Sequence, residues 1–430
     1  MRNFQLRKCG VWLAAAAVLF ALSPAQAGRG FLLNGYGSEA LGMAGADVAV
    51  ARDTNAMNTN PAGLTQLRNG GYDLQIQPYV SGFKHEDSLS NSEELTDPFG
   101  AVSAAGYAAR LASHPDWVWG MGLYGQGGTS VGYDNLLTEY GNRDIVSANI
   151  GVFKLAGSLA WQVRENLSVG ATLGLSYAFG RQKYFPETSD NSDPAAPFFG
   201  LRFDDGSGIS GNFLVGLQYR PMEQWTVALV YTSKTDLRLT GGTATLNFES
   251  VGLGRVHYDN ARLEGFALPQ EIDLGVSWRP DARWLVAIEA SWLDYSRALS
   301  SSRFRADTPN NPGAAANIDS VTQLRWRDQY VYALGVAYSL SEKTTLRGGF
   351  NVENNPVRAE TATPPLGLGQ ERSISVGFGR RLDDGWHFDA AFEYQLPTTQ
   401  SYSNPALPLG EKVDDRYGLY GLILSIARRW

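Results

Sequence analysis

A chain of 430 residues with 43% hydrophobic and 12% aromatic residues, 48 glycines and a mean hydropathy of -0.22 is too rich in aromatics to be disordered. After the first thirty residues no stretch holds ~18 uninterrupted apolar residues, which excludes a bundle of membrane helices. The formal charge of -7 becomes -10 once Arg2, Arg7 and Lys8 are removed, and a chain that acidic is a poor partner for nucleic acid.

Those three cations open a secretory signal. Met1–Lys8 has no acid, Val11–Leu22 is an apolar core too short for a permanent span, and Ala25-Gln26-Ala27 predicts cleavage after Ala27. The one cysteine, Cys9, lies at the start of that segment and away from any cleavage point, so neither a lipid anchor nor a disulfide is expected in the mature chain.

Residues 28–71 form the next unit, a run of small residues that ends in Asn60-Pro61-Ala62-Gly63-Leu64. It is too short to fold alone and too apolar to be a free tail, so it needs something to sit inside.

From Tyr72 to Trp430 the pattern alternates with period two. Trp386, Phe388, Ala390, Phe392, Tyr394 and Leu396 share one phase; His387, Asp389, Glu393 and Gln395 share the other. Fourteen such runs predict fourteen strands. Short turns, such as Arg164-Glu165-Asn166, alternate with long polar segments, among them Gly128–Ser147, Lys183–Ser207, Gly241–Leu268 and Ser301–Val321. Trp117, Trp161, Trp225, Trp278, Trp284, Trp386 and Trp430 sit at strand ends, as a membrane girdle requires. A water-soluble sandwich would also alternate, but strands of this number and length suit a bilayer, and a closed barrel satisfies every backbone group there. The expected fold is all-β: a 14-stranded antiparallel transmembrane barrel over 72–430 with residues 28–71 as a plug in its lumen.

At this point the sequence resembles the outer-membrane long-chain fatty acid and aromatic hydrocarbon transporters, FadL/TodX-like barrels with an N-terminal plug. The matching residues are Asn60–Leu64, Tyr219-Arg220-Pro221 with Trp225, Tyr231 with Ser233-Lys234, and Leu268-Pro269 before Ile272–Trp278. Further along the chain, Gly348-Gly349-Phe350, Asn354-Asn355-Pro356-Val357 and Gln370-Glu371-Arg372-Ser373 match as well. Trp430 stands where these barrels carry the terminal aromatic read by the barrel assembly machinery. The resemblance implies a monomer in the Gram-negative outer membrane that moves a hydrophobic ligand passively, most readily a long-chain fatty acid. Export of oxygenated fatty acids, uptake of aromatic hydrocarbons, and a structural or adhesive barrel are the alternatives.

It also implies a loop groove, a lumen pocket and a lateral opening at a kink in the third strand. Gly120, Gly122, Gly125, Gly127 and Gly128 are the glycines that could permit that kink. Asn60, Pro61, Ala62 and Gly63 are candidates for plug gating, or simply for a plug stop. Lys154, Arg325, Arg327 and Arg347 fall on the polar phase and could hold a carboxylate, or pair with lumen acids such as Glu289, Glu353, Asp389 and Glu393. Phe198, Phe199, Leu246, Phe248, Val251 and Leu253 are candidate apolar loop contacts. Catalysis, metals and cofactors are not expected: His85, His114, His257 and His387 lack metal-ligand spacing, and no G-x-S-x-G elbow occurs.

Overall fold

The computed structural model describes residues 28–366 and 369–430, and the expected signal segment lies outside them. Among the described residues, twenty strands form a single sheet. Fourteen of them make the wall: β1 (Gly70–Ser81), β2 (Phe99–Leu111), β3 (His114–Leu137), β4 (Arg143–Arg164), β5 (Leu167–Asp190), β6 (Phe198–Met222) and β7 (Trp225–Thr232). The circle continues through β8 (Glu271–Trp278), β9 (Trp284–Leu293), β10 (Gln329–Ser341), β11 (Thr344–Glu353), β12 (Arg372–Arg381), β13 (Trp386–Tyr402) and β14 (Val413–Arg429). Each pairs antiparallel with its sequence neighbour, and β1 closes on β14 from Gly71↔Arg429 to Ser81↔Leu419. Closure gives every wall strand a neighbour on both sides, so none is a free edge facing lipid.

The alternation decides which way each side chain points. Ile272, Leu274 and Trp278 of β8 are exposed on the outer face, whereas Asp273 and Ser277 are buried within. Ile374, Val376 and Phe378 of β12 likewise point outward, with Ser373 and Ser375 inside. A buried polar interior is affordable only where it finds partners, and the plug provides many of them.

All seven predicted girdle tryptophans lie on the rim of the short turns. There Trp117 stacks on Trp161 (centroids 5.3 Å apart), Trp225 on Trp278 (5.7 Å), and Trp430 meets Tyr107 (5.8 Å). Amphipathic rings at one level mark the inner membrane boundary.

On the opposite rim the structure departs from the sequence reading. The segments expected as long loops are largely strand: β3 and β4 run out to Leu137 and Arg143, and β5 and β6 to Asp190 and Phe198. Thr235–Phe248 with Gly254–Leu268, and Ser301–Pro309 with Asn317–Gln323, are further paired ribbons. Their inner faces bury Tyr133, Val146, Phe185, Phe203, Val256 and Tyr258 in one apolar cluster. Alternation therefore persists beyond the bilayer, disguised in sequence by polar outward positions.

The plug is short irregular pieces: α1 (Ser38–Gly42) and two 3-10 turns, Thr54–Met57 and Pro61–Gln66. Many lumen acids hold it. Glu289 accepts from the Asp47 and Val48 amides at 2.9 Å each, and Asp73 accepts from the Thr54 amide (3.1 Å) and hydroxyl (2.6 Å). Arg29 of the plug pairs with Glu271 and, at 3.3 Å, Asp273.

Candidate functional site: plug, lumen lysine and the β2–β3 break

The Asn60–Gly63 motif is a joint between plug and wall. Asn60 caps the turn Pro61–Gln66 by accepting from the Ala62 amide (3.1 Å), and Pro61 stands at the first helical position, where its missing N–H is harmless. The Asn60 amide also donates to the carbonyls of Val48 (2.8 Å) and Leu217 (3.3 Å). The wall gives way to admit it: a Cβ on Gly216 would lie 2.1 Å from Asn60 Oδ1, and one on Gly170 2.5 Å from the Pro61 carbonyl carbon. Within the turn, Gly63 faces the Ala51 carbonyl, which a Cβ would meet at 2.2 Å, and Ala62 is fully buried.

The third strand breaks where the glycines crowd. β2 pairs with β3 from Arg110↔Val118 to Ala104↔Tyr124 and no further, although β3 continues beside β4 as far as Leu137↔Arg143. A register shift falls between Gly125 and Gly127. Gly127 (φ +133°) and Gly128 (φ +142°) occupy backbone space closed to side chains, which bends the strand. Gly120 and Gly122 lie below the break, still in register with Ala108 and Gly106. The ladder lost to β2 is partly replaced by the plug: Leu32 bridges to Gly127, and the Gly128 amide donates to the Phe31 carbonyl at 3.0 Å.

Of the four candidate cations, Lys154 is the one buried without a side-chain partner. Lys154 lies opposite Tyr124, the last β3 residue still paired with β2, and its side chain extends over the inner face toward Gly174 of β5, where a Cβ would meet Lys154 Cδ at 2.8 Å. It is 3% exposed, and among the described residues it has neither a hydrogen bond nor an ion pair. Arg347 is also inward, but it is engaged by Asp389 (2.8 Å) and Glu39 (3.7 Å), and so braces plug to wall. Arg325 and Arg327 require a correction, because they are exposed on the outer rim, in the segment 324–328 between two strands. The phase is inverted there: Leu324 and Trp326 turn in toward the apolar cluster, which puts the arginines out.

The apolar loop candidates pack mainly on one another. Phe199 meets Phe248 edge-on at 4.8 Å, and Phe198 contacts Tyr140, Tyr184 and Phe185. Leu246 is buried, Leu253 packs on the same cluster, and Val251 is exposed.

Two features escaped the sequence reading. Phe31 stacks on Trp326 (5.6 Å, 9° between planes), held by Tyr295, whose hydroxyl accepts from the Phe31 amide (2.8 Å) and donates to the Arg29 carbonyl (2.7 Å). His85 is completely buried at the outer rim between Asp415 (2.7 Å) and Asp87 (3.2 Å). The only signal for the first was an aromatic between two rim arginines; for the second, an isolated histidine among acids.

A closed lipid-facing barrel with a plug in its lumen and a break in the pairing of β2 with β3 describes an outer-membrane channel for hydrophobic molecules. The sequence matches the model of the outer membrane protein transport proteins (OMPP1/FadL/TodX) over residues 18–425. The chain belongs to this family. Its fold is similar to that of the toluene transporter TodX of Pseudomonas putida, with 17% identity, 92% of this chain and 99% of that chain covered, and a TM-score of 0.76. A FadL homologue of Pseudomonas aeruginosa (17%, 93% and 98%, TM-score 0.73) and the toluene transporter TbuX of Ralstonia pickettii (17%, 92% and 99%, TM-score 0.73) are similar as well. No curated protein matches the chain.

Proposed function

We propose that the molecules carried are long-chain fatty acids, that they pass by diffusion with no chemical step, and that they leave sideways between β2 and β3. The observation that carries this reading is Lys154: a buried lumen ammonium, on the strand next to the break, without a hydrogen bond or ion pair among the described residues. An unpaired buried charge is strongly disfavoured, and a ligand carboxylate would supply the missing partner. A lateral path spares the acyl chain a crossing of polar layers. Gating falls to Asn60–Gly63 and to the Phe31–Leu32 segment that covers the break. Trp430 is read as the assembly signal, and the chain works as a monomer.

The stacked Phe31–Trp326 pair favours a second reading, uptake of an aromatic hydrocarbon that slides between the rings. Direction follows whatever gradient is imposed, so loss of oxygenated acids to the medium is the third possibility. Flux of labelled oleate, a hydroxylated oleate and toluene, into and out of cells with and without the protein, separates the three. The reading is supported by protein-dependent oleate entry that falls at least fivefold in Lys154→Met. Toluene entry alone would replace it with the second, and efflux of the hydroxylated acid alone with the third.

A further inference from the structure

Outside the lumen, the wall carries a polar groove of about 280 Å³ on the outward face of β3 to β6. Its floor is a row across three strands, Ser147↔Lys183↔Arg202, with Asn149↔Arg181 one step nearer the membrane. Two like charges directly opposite on neighbouring strands repel, so Lys183 against Arg202 is an arrangement the sheet alone does not favour. Arg202 is satisfied by Asp204 at 2.6 Å, but Arg181 and Lys183 have no ion pair among the described residues.

The level of the groove identifies what it faces. Leu173, Leu175 and Tyr177 of β5 are exposed to lipid. Arg181 lies two residues beyond Phe179, whose ring stacks on Tyr177 and Phe153 on the same face, which is roughly 5 Å further along the membrane normal for a tilted strand. That is the depth of the outer headgroup layer, which adds ~5–7 Å to the hydrocarbon on each side. The opposite wall of the groove presents Asp97 and Asp134. Carboxylates there suit a headgroup that has hydroxyls to donate as well as phosphate to offer, and a bare anion would be repelled by them.

We propose that this groove binds the phosphorylated sugar headgroup of an outer-leaflet glycolipid: Arg181 and Lys183 take the phosphate, Arg202 flanks it, and Asp97 and Asp134 accept sugar hydroxyls. Charge-assisted bonds from an arginine and a lysine to one phosphate relieve the cross-strand repulsion and fix the lipid beside the outer half of β3.

The test is native mass spectrometry of the folded protein in detergent, titrated with diphosphorylated lipid A and with its dephosphorylated form. Retention of the diphosphorylated lipid is expected to be at least tenfold greater. It should drop about tenfold in Arg181→Gln/Lys183→Gln and persist in Arg181→Lys, which keeps the charge and reports an intact barrel. Equal retention of the two lipids, or no loss in the double variant, would overturn the proposal. So would displacement of the lipid by millimolar inorganic phosphate alone, which would mark a site for a free anion.

Discussion

Lys154 and His85 are both buried basic side chains, and they illustrate opposite uses of burial. His85 has its counter-charges built in. Burial by itself would lower its pKa, but hydrogen bonds to Asp415 and Asp87 outweigh that and push it up to about 9. Tyr402 (2.7 Å) and Tyr417 (3.2 Å) donate to the same Asp415 carboxylate, and the unpartnered Tyr133 ring lies 5.4 Å away. A raised histidine contributes stability that is complete below its ordinary value of 6.5 and disappears as pH climbs through about 9. The full shift corresponds to roughly 3 kcal/mol. Thermal unfolding of the purified barrel should thus weaken between pH 7 and 9.5, and His85→Gln should lie lower and lose that slope. An unchanged slope in the variant would exonerate this cluster. Lys154, by contrast, has its counter-charge left to something else. Lys154→Met should leave folding intact or improve it, since it removes a buried charge, while selectively reducing flux of acids. A barrel that lost oleate and toluene flux together would point to damage rather than recognition.

The elements differ in how plainly they could be read beforehand. Strands such as Trp386–Leu396 were legible because one face meets lipid and the other meets polar plug atoms, so period two is enforced on both sides. The outer ribbons were not, since their outward faces are as polar as any loop and only the inward half of each repeat carries signal. Arg325 and Arg327 fell on the expected phase by count, but the intervening Trp326 has more to gain from burial than the arginines have from the lumen. The glycines of β3 were visible in sequence as a group; which of them break the wall depends on φ and on where β2 stops, which composition does not encode. At this scale the expected outcomes are specific. Gly127→Val and Gly128→Val impose side chains on positive φ, where a Cβ would meet the Phe31 and Ile150 carbonyl oxygens at 2.1 and 1.9 Å. Each should cost about 1–3 kcal/mol in the folded state and alter flux. Gly120→Ala, below the break, should leave flux unchanged even where packing against Met57 suffers. Equal flux in all three would dissociate transport from the break.

For the molecule as a whole, plug and wall are tied together by side-chain bonds from both sides. Asn60 links two plug segments to β6, Glu289 and Asp73 collect plug amides, and Arg347 ties α1 to β13 through Glu39 and Asp389. Asn60→Ala removes the cap on the Ala62 amide and the bonds to the Val48 and Leu217 carbonyls, the first of which keeps Gln218 as a donor, a loss of about 1 kcal/mol. Arg347→Ala strands Asp389 and leaves Glu39 to Arg52 alone, and should loosen the plug more than the wall. Hydrogen exchange resolves the two effects: in Arg347→Ala protection should fall first over residues 38–57, with wall amides such as those of β12 unchanged. Simultaneous loss across both would mean that the barrel does not fold without its insert.

The contact of Phe31 and Leu32 with Gly128 and Gly127 has a consequence in time rather than in space. Those plug residues stand in for a missing neighbouring strand, so the passage beside them is latched by a few backbone bonds and one ring stack. Such a latch yields by local fraying, not by a hinge, and its frequency of release is set by the stability of that short stretch alone. Under the proposed lateral route, throughput would then plateau at the fraying rate once ligand is abundant. Phe31 and Leu32, rather than the width of the pore, would keep the clock.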